Sequence, residues 1–100
     1  MRIDEILASS TSPSFSVEFF PPKTDEGRES LFETVEVLRE LEPDFFSVTY
    51  GAGGATREGT LETTKAIRDD HGVEAMAHLS CVGETADSLR EIIEIGRAHV

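Results

Sequence analysis

The sequence is poor in cysteine and in basic residues, with one Cys and nine Lys plus Arg in 100 residues, and it has no long apolar run. The lone Cys81 excludes an internal disulfide and fits a reducing compartment; an isolated thiol of this kind reads as a packing residue rather than a nucleophile. Twenty acidic residues outnumber the basic ones and give a formal charge of -11, so neither nucleic acid nor an anionic membrane surface is expected as the main partner. The plain reading of that charge is a well-solvated surface. No segment approaches the roughly 18 to 20 apolar residues of a membrane span, and residues 1–10 lack the basic start and apolar core of a secretory signal. A cytoplasmic location is therefore the expectation. The dinucleotide fingerprint G-x-G-x-x-G and the phosphate loop G-x-x-x-x-G-K-S/T are both missing, and His71, His78 and Cys81 do not have the spacing of metal ligands. No metal is expected. With 38% hydrophobic residues, the chain can form one small domain but cannot contain a complete large α/β enzyme.

What the sequence does contain is alternation. Strand-like runs at Phe15 to Phe20, Asp44 to Tyr50 and Glu74 to Leu79 are separated by helix-like runs, the pattern of a parallel α/β sheet built by right-handed crossovers. The first helix is predicted from about Gly27 to Leu41, with Leu31, Phe32, Val35, Leu38 and Leu41 at helical spacing and Pro43 beyond its end. A second, from about Arg57 to Asp70, has a thin apolar face of Leu61, Thr64 and Ile67, and Gly72 is placed for a left-handed cap. A third begins after Thr85, a candidate N-cap, and turns Leu89, Ile92 and Ile93 toward the sheet. Gly96 is expected to break it.

Strand alternation puts Phe15, Val17 and Phe19 on one face and Ser16, Glu18 and Phe20 on the other. Extended to all strands, one assignment gathers Ser16, Glu18, Ser47, Thr49, Met76 and His78 on a single surface that is polar toward its C-terminal edge. Ligand sites of parallel α/β folds lie at that edge. Glu18 is the outstanding residue, because a carboxylate in an apolar strand just before Pro21-Pro22 is either facing water or paired, protonated or turned to a ligand. Each polar residue alone has an ordinary explanation, Thr49 as a strand former and His78 as a bonded core residue. Delivery of all of them to one edge argues for a site. The glycine-rich stretch Gly51 to Thr56 opens toward a helix and could approach a ligand closely, but alone it is a weak signal.

Three blocks, Val17-Glu18-Phe19-Phe20-Pro21-Pro22-Lys23, Phe46-Ser47-Val48-Thr49-Tyr50-Gly51-Ala52-Gly53-Gly54 and Ala77-His78-Leu79-Ser80-Cys81, resemble in order and interval the amino-terminal part of the methylenetetrahydrofolate reductase family. The resemblance covers about residues 14 to 93. It implies a flavoprotein with an eight-stranded (β/α) TIM barrel that reduces 5,10-methylenetetrahydrofolate to 5-methyltetrahydrofolate, with electrons passing from NAD(P)H to FAD and then to the folate. It also implies one-carbon metabolism serving methionine biosynthesis, and a homo-oligomer for the full-length protein. By the same resemblance Glu18 is the general acid that helps to open the folate's five-membered ring. Burial by Phe19, Phe20 and the prolines is expected to help it keep a proton. Thr49, Tyr50 and Ala52 would line the flavin and nicotinamide positions, His78 would contact FAD, and Lys23 would help at the nicotinamide side or remain an exposed loop lysine.

Such a barrel needs about 250 residues. Residues 1–93 are therefore expected to be its amino-terminal part, the first three βα units, too little to bind FAD tightly or turn over alone. Residues 94–100, Glu-Ile-Gly-Arg-Ala-His-Val, resemble the translation of a common sequencing adapter and are expected to be a non-native tail. Two other readings stay open: a barrel that handles a one-carbon or pterin substrate without FAD, such as a methyltransferase, and a small α/β binding module with no catalysis.

Overall fold

The computed structural model describes residues 2–9, 11–50 and 57–98. The elements run α1 (Ile3–Ser9), β1 (Ser16–Phe19), α2 (Asp25–Arg39), β2 (Phe45–Val48), α3 (Arg57–His71), β3 (Ala75–Ala77) and α4 (Ala86–Ala98). The strands form one parallel sheet in the order β1-β2-β3. Its register pairs Glu18 with Ser47 and Ser47 with Met76. Asp44 locks the lower end: its carboxylate accepts from the Phe15 amide at 2.7 Å, and its own amide donates to the Phe15 carbonyl at 2.9 Å.

Local chemistry sets where the helices begin and end. Thr24 caps α2 by accepting from the Gly27 amide at 3.0 Å, with Asp25 and Glu26 in the first turn. The helix thus starts before the predicted Gly27. It stops at Arg39, and Glu42 takes φ +54°, the left-handed region in which a residue with a Cβ is strained. Gly72, directly after α3, has φ +69° as expected for a left-handed cap. Thr85 and Ser88 cap α4 reciprocally, each side-chain oxygen accepting from the other's amide, at 3.1 and 2.9 Å.

The core lies on the helix-facing side of the sheet. Phe46 and Val48 are fully buried there with Val35 of α2 and Ile67 of α3, and Leu31 completes the cluster. Removing each such side chain from water contributes about 1.5 to 3 kcal/mol. Phe19 meets Phe46 edge-on, their ring centroids 5.3 Å apart. Since β2 alternates, burying Phe46 and Val48 on this side sends Ser47 to the opposite face with Glu18.

Several expectations are corrected. A short helix, α1, precedes the first strand where none was read. The strands are shorter than predicted at both ends. In α3 the buried stripe is Thr60, Thr63, Ala66 and Ile67, while Leu61 and Thr64 are only half-buried. The shift is one position around the helix, and two of the buried residues are threonines. Of the residues predicted to turn α4 inward, Ile92 is buried, Leu89 half-buried and Ile93 exposed. Gly96 does not break α4, which continues to Ala98; a glycine inside a helix costs only about 1 kcal/mol, less than a helix boundary needs. No helix among the described residues is long and apolar enough to cross a membrane.

Candidate active site

On the face away from the core, the register brings three side chains together at the C-terminal ends of the strands. Ser47 Oγ donates to Glu18 Oε1 at 3.1 Å. His78 Nε2 lies 3.1 Å from the same Oε1. His78 is held by its own backbone, whose amide donates to the Val48 carbonyl at 2.9 Å and carries the β2–β3 ladder one step past β3. Glu18 sits in the matching position on β1, and the amide of Thr49 donates to the Phe19 carbonyl at 3.0 Å just beyond it. Ladder bonds therefore fix all three backbones, and the cluster does not depend on loop conformation.

Thr49 continues the row from Ser47. Its carbonyl accepts from Thr60 Oγ1 at 2.9 Å. Its own Oγ1 is buried and has no hydrogen-bond partner among the described residues. A buried hydroxyl left unsatisfied costs about 1 to 3 kcal/mol, so this atom is a natural contact for a polar ligand group. Tyr50 points elsewhere: its hydroxyl donates to Glu84 Oε1 at 2.9 Å, and Ser88 Oγ donates to Glu84 Oε2 at 2.6 Å. That bridge joins the end of β2 to the cap of α4, and nothing in the sequence pattern singled out Glu84. Lys23 is exposed, as the plain reading of a loop lysine had it. Ala52 and the rest of the stretch Gly51 to Thr56 lie outside the described residues.

The expected burial of Glu18 is not met, because its side chain is 54% exposed. Phe20 turns to solvent at 70% exposure, and only Pro21 of the neighbouring residues is buried. The acid is thus paired rather than enclosed, open on one side to whatever occupies the face above it. A cavity of about 470 Å³ lies to the side of the cluster, along β3, walled by Tyr50, Leu61, Thr64, Ala77 and Ile92 among others. His78 borders it and Glu18 does not.

Comparison with known proteins assigns the family. The methylenetetrahydrofolate reductase family profile matches residues 2–99. The 5,10-methylenetetrahydrofolate reductase of Escherichia coli is 46% identical over 77 residues, which is 77% of this chain and 26% of that protein. The methylenetetrahydrofolate reductase (NADH) 1 of Arabidopsis thaliana is 40% identical over 86 residues, 86% of this chain and 14% of the relative. Its namesake in Zea mays is 38% identical over 94 residues, 92% of this chain and 16% of the relative. The chain spans about a quarter or less of the length of the curated relatives it matches. It belongs to the methylenetetrahydrofolate reductase family.

Proposed function

We propose that this chain supplies the proton-donating end of an enzyme that reduces 5,10-methylenetetrahydrofolate to 5-methyltetrahydrofolate, with NAD(P)H as electron donor and FAD as carrier. The observation that carries the reading is the convergence of Glu18, Ser47 and His78 at the C-terminal ends of adjacent parallel strands. In this reading the sheet is the start of a (β/α) barrel, whose ligand sites lie at that end of the strands. The whole protein is placed in the cytoplasm, as a homo-oligomer, and residues 94–100 are read as a non-native tail.

The chemistry asked of Glu18 is specific. Opening the folate's five-membered ring breaks a carbon–nitrogen bond, and the departing nitrogen leaves readily only if it takes up a proton as the bond breaks. Glu18 gives that proton: its O–H bond breaks, an N–H bond forms on the folate, and a carboxylate remains. Its open side is where the folate approaches, and the same approach provides the desolvation that this part of the chain lacks.

The residues present fit a flavin. The unpartnered, buried Oγ1 of Thr49 offers a hydrogen bond beside the acid, and Thr49, Tyr50, Ala52 and His78 would hold the cofactor, with Lys23 toward the nicotinamide. When bound, FAD supplies the hydride that turns the opened one-carbon unit into a methyl group. Tyr50 is moored by Glu84, and His78, in contact with the acid, borders the same cavity that Tyr50 walls.

Glu18→Gln in the full-length protein tests the reading. The amide keeps the shape and removes the proton. Stopped-flow absorbance should show flavin reduction by NADH at its normal rate and folate reduction slowed by about 10²- to 10⁴-fold, the range of general-acid catalysis. Normal rates in both half-reactions would refute it.

A further inference from the structure

The two neighbours of Glu18 both address one oxygen. Ser47 Oγ donates to Oε1, and His78 Nε2 stands 3.1 Å from that atom as well. Oε2 accepts nothing from the described residues. The two carboxyl oxygens are therefore chemically distinct, one held by two neighbours and the other without a donor among the described residues, on a side chain that is half exposed. We propose that Ser47 is a positioning residue that fixes the orientation of Glu18, so that Oε2 carries the proton and Oε1 keeps the charge once the proton has left. This rests on the reading of Glu18 as the acid and goes beyond it by naming the oxygen that delivers the proton and the hydroxyl that selects it.

The placement of Ser47 suits the role. It is 5% exposed, lies on the central strand and pairs in register with Glu18, so its hydroxyl moves little. A hydroxyl donor on Oε1 disfavours a proton there, because an oxygen already accepting a hydrogen bond along its lone pair is the weaker site for O–H. The step then balances simply. The O–H bond at Oε2 breaks, the proton passes to the folate nitrogen, and the electron pair left behind is shared with Oε1. There the Ser47 hydrogen bond becomes charge-assisted and shortens. The stabilisation grows during the reaction, so it lowers the barrier rather than tightening the substrate complex. His78 contributes at the same atom, but its carbonyl-anchored backbone and its border on the cavity give it further duties. Ser47 has this one hydrogen bond to make.

The test uses the full-length holoenzyme with Ser47→Ala, Ser47→Thr and, as reference, Glu18→Gln. Ser47→Ala should slow the folate half-reaction by about 10- to 100-fold, the size of losing one hydrogen bond to a charged group. The KM for folate should stay within about twofold, since the lost interaction strengthens only during proton transfer. Ser47→Thr keeps the hydroxyl and should restore most of the rate. A crystal structure of the alanine variant should show the Glu18 carboxyl rotated from its present position. An unchanged folate half-reaction in Ser47→Ala overturns the proposal, and so does an equal slowing of both half-reactions with no rescue by threonine. If Glu18→Gln is itself unimpaired, the assignment of the acid fails and this inference with it. If Glu18→Gln is impaired and Ser47→Ala is normal, only the role of Ser47 is lost.

Discussion

Single side chains on this protein gain their meaning from partners across the sequence. His71, in the last turn of α3, stacks on Phe32 of α2 with ring centroids 5.1 Å apart and hydrogen-bonds the Glu36 carboxylate through Nδ1. Arg39 donates to the His71 carbonyl at 2.8 Å, and the Arg28 guanidinium lies over the Phe32 ring, 5.0 Å from its centroid. The Glu36 carboxyl is consequently held below the ordinary glutamate value of 4.5, chiefly by the hydrogen bond from His71, then by the nearby Arg39 charge, with desolvation opposing. A carboxyl depressed in the folded state stabilises the fold above its unfolded value and loses that contribution as pH falls through the folded one. The full-length protein should lose part of its stability on acidification below about pH 4.5, and Glu36→Gln should flatten that part of the curve. Melting temperatures of both proteins between neutral pH and pH 3 provide the check; parallel curves would show that the contact is silent. At this scale the sequence was legible where alternation alone decides. It put Glu18 and His78 on one surface, and they meet. It did not show that Ser47 bonds Glu18, because that requires the β1–β2 register, which depends on the crossover between them. Nor did it show the exposure of Glu18, which depends on what covers the face.

At the scale of elements, capping is the part of the fold written most locally, and it is where sequence and structure agree best. Thr85 and Gly72 cap as read from their neighbours alone. Thr24 was not legible as a cap: the predicted helix begins at about Gly27, and the structure begins it at Asp25. Gly27 is tolerated there for a geometric reason: a Cβ on it would come within 3.1 Å of Thr24 Oγ1, the capping atom. Thr24→Ala should therefore cost about 1 kcal/mol, read from chemical denaturation as a lower midpoint at unchanged slope. Gly72→Ala is a separate case. Nothing stands within 4 Å of the Cβ it would add, so the whole cost is the left-handed backbone at φ +69°, about 1 to 2 kcal/mol. A loss much larger than that would point to packing that the structure does not contain. The burial of α3 was the least legible element, because a stripe of Thr60, Thr63 and Ile67 reads as polar in sequence. Burial there is possible because a threonine hydroxyl can be satisfied inside the fold, as Thr60 is by donating to the Thr49 carbonyl.

For the molecule as a whole, the sheet is one-sided among the described residues. Helices α2 and α3 cover the Phe46 and Val48 face, while β1 and β3 each pair with a strand on one side only. Met76 and Leu79 remain exposed at 39% and 46%, next to the cavity along β3. A strand edge with apolar side chains invites pairing with another chain. The isolated 100 residues should accordingly retain no FAD through gel filtration and should associate at micromolar concentration, whereas the full-length protein should carry flavin. A monomeric, yellow, NADH-oxidising preparation of the 100-residue chain would contradict this. The fold class was legible from the alternation of periods, yet the extent of the sheet was not, since a strand's second neighbour leaves no mark on the strand itself. The register that joins Glu18 to Ser47 spans 29 residues, and His78 comes directly after the next strand. During translation these groups leave the ribosome in close succession, each strand docking on the one just made, with short loops to close at every step. Glu18, Ser47 and His78 can thus come together on the nascent chain as soon as β3 has docked on β2.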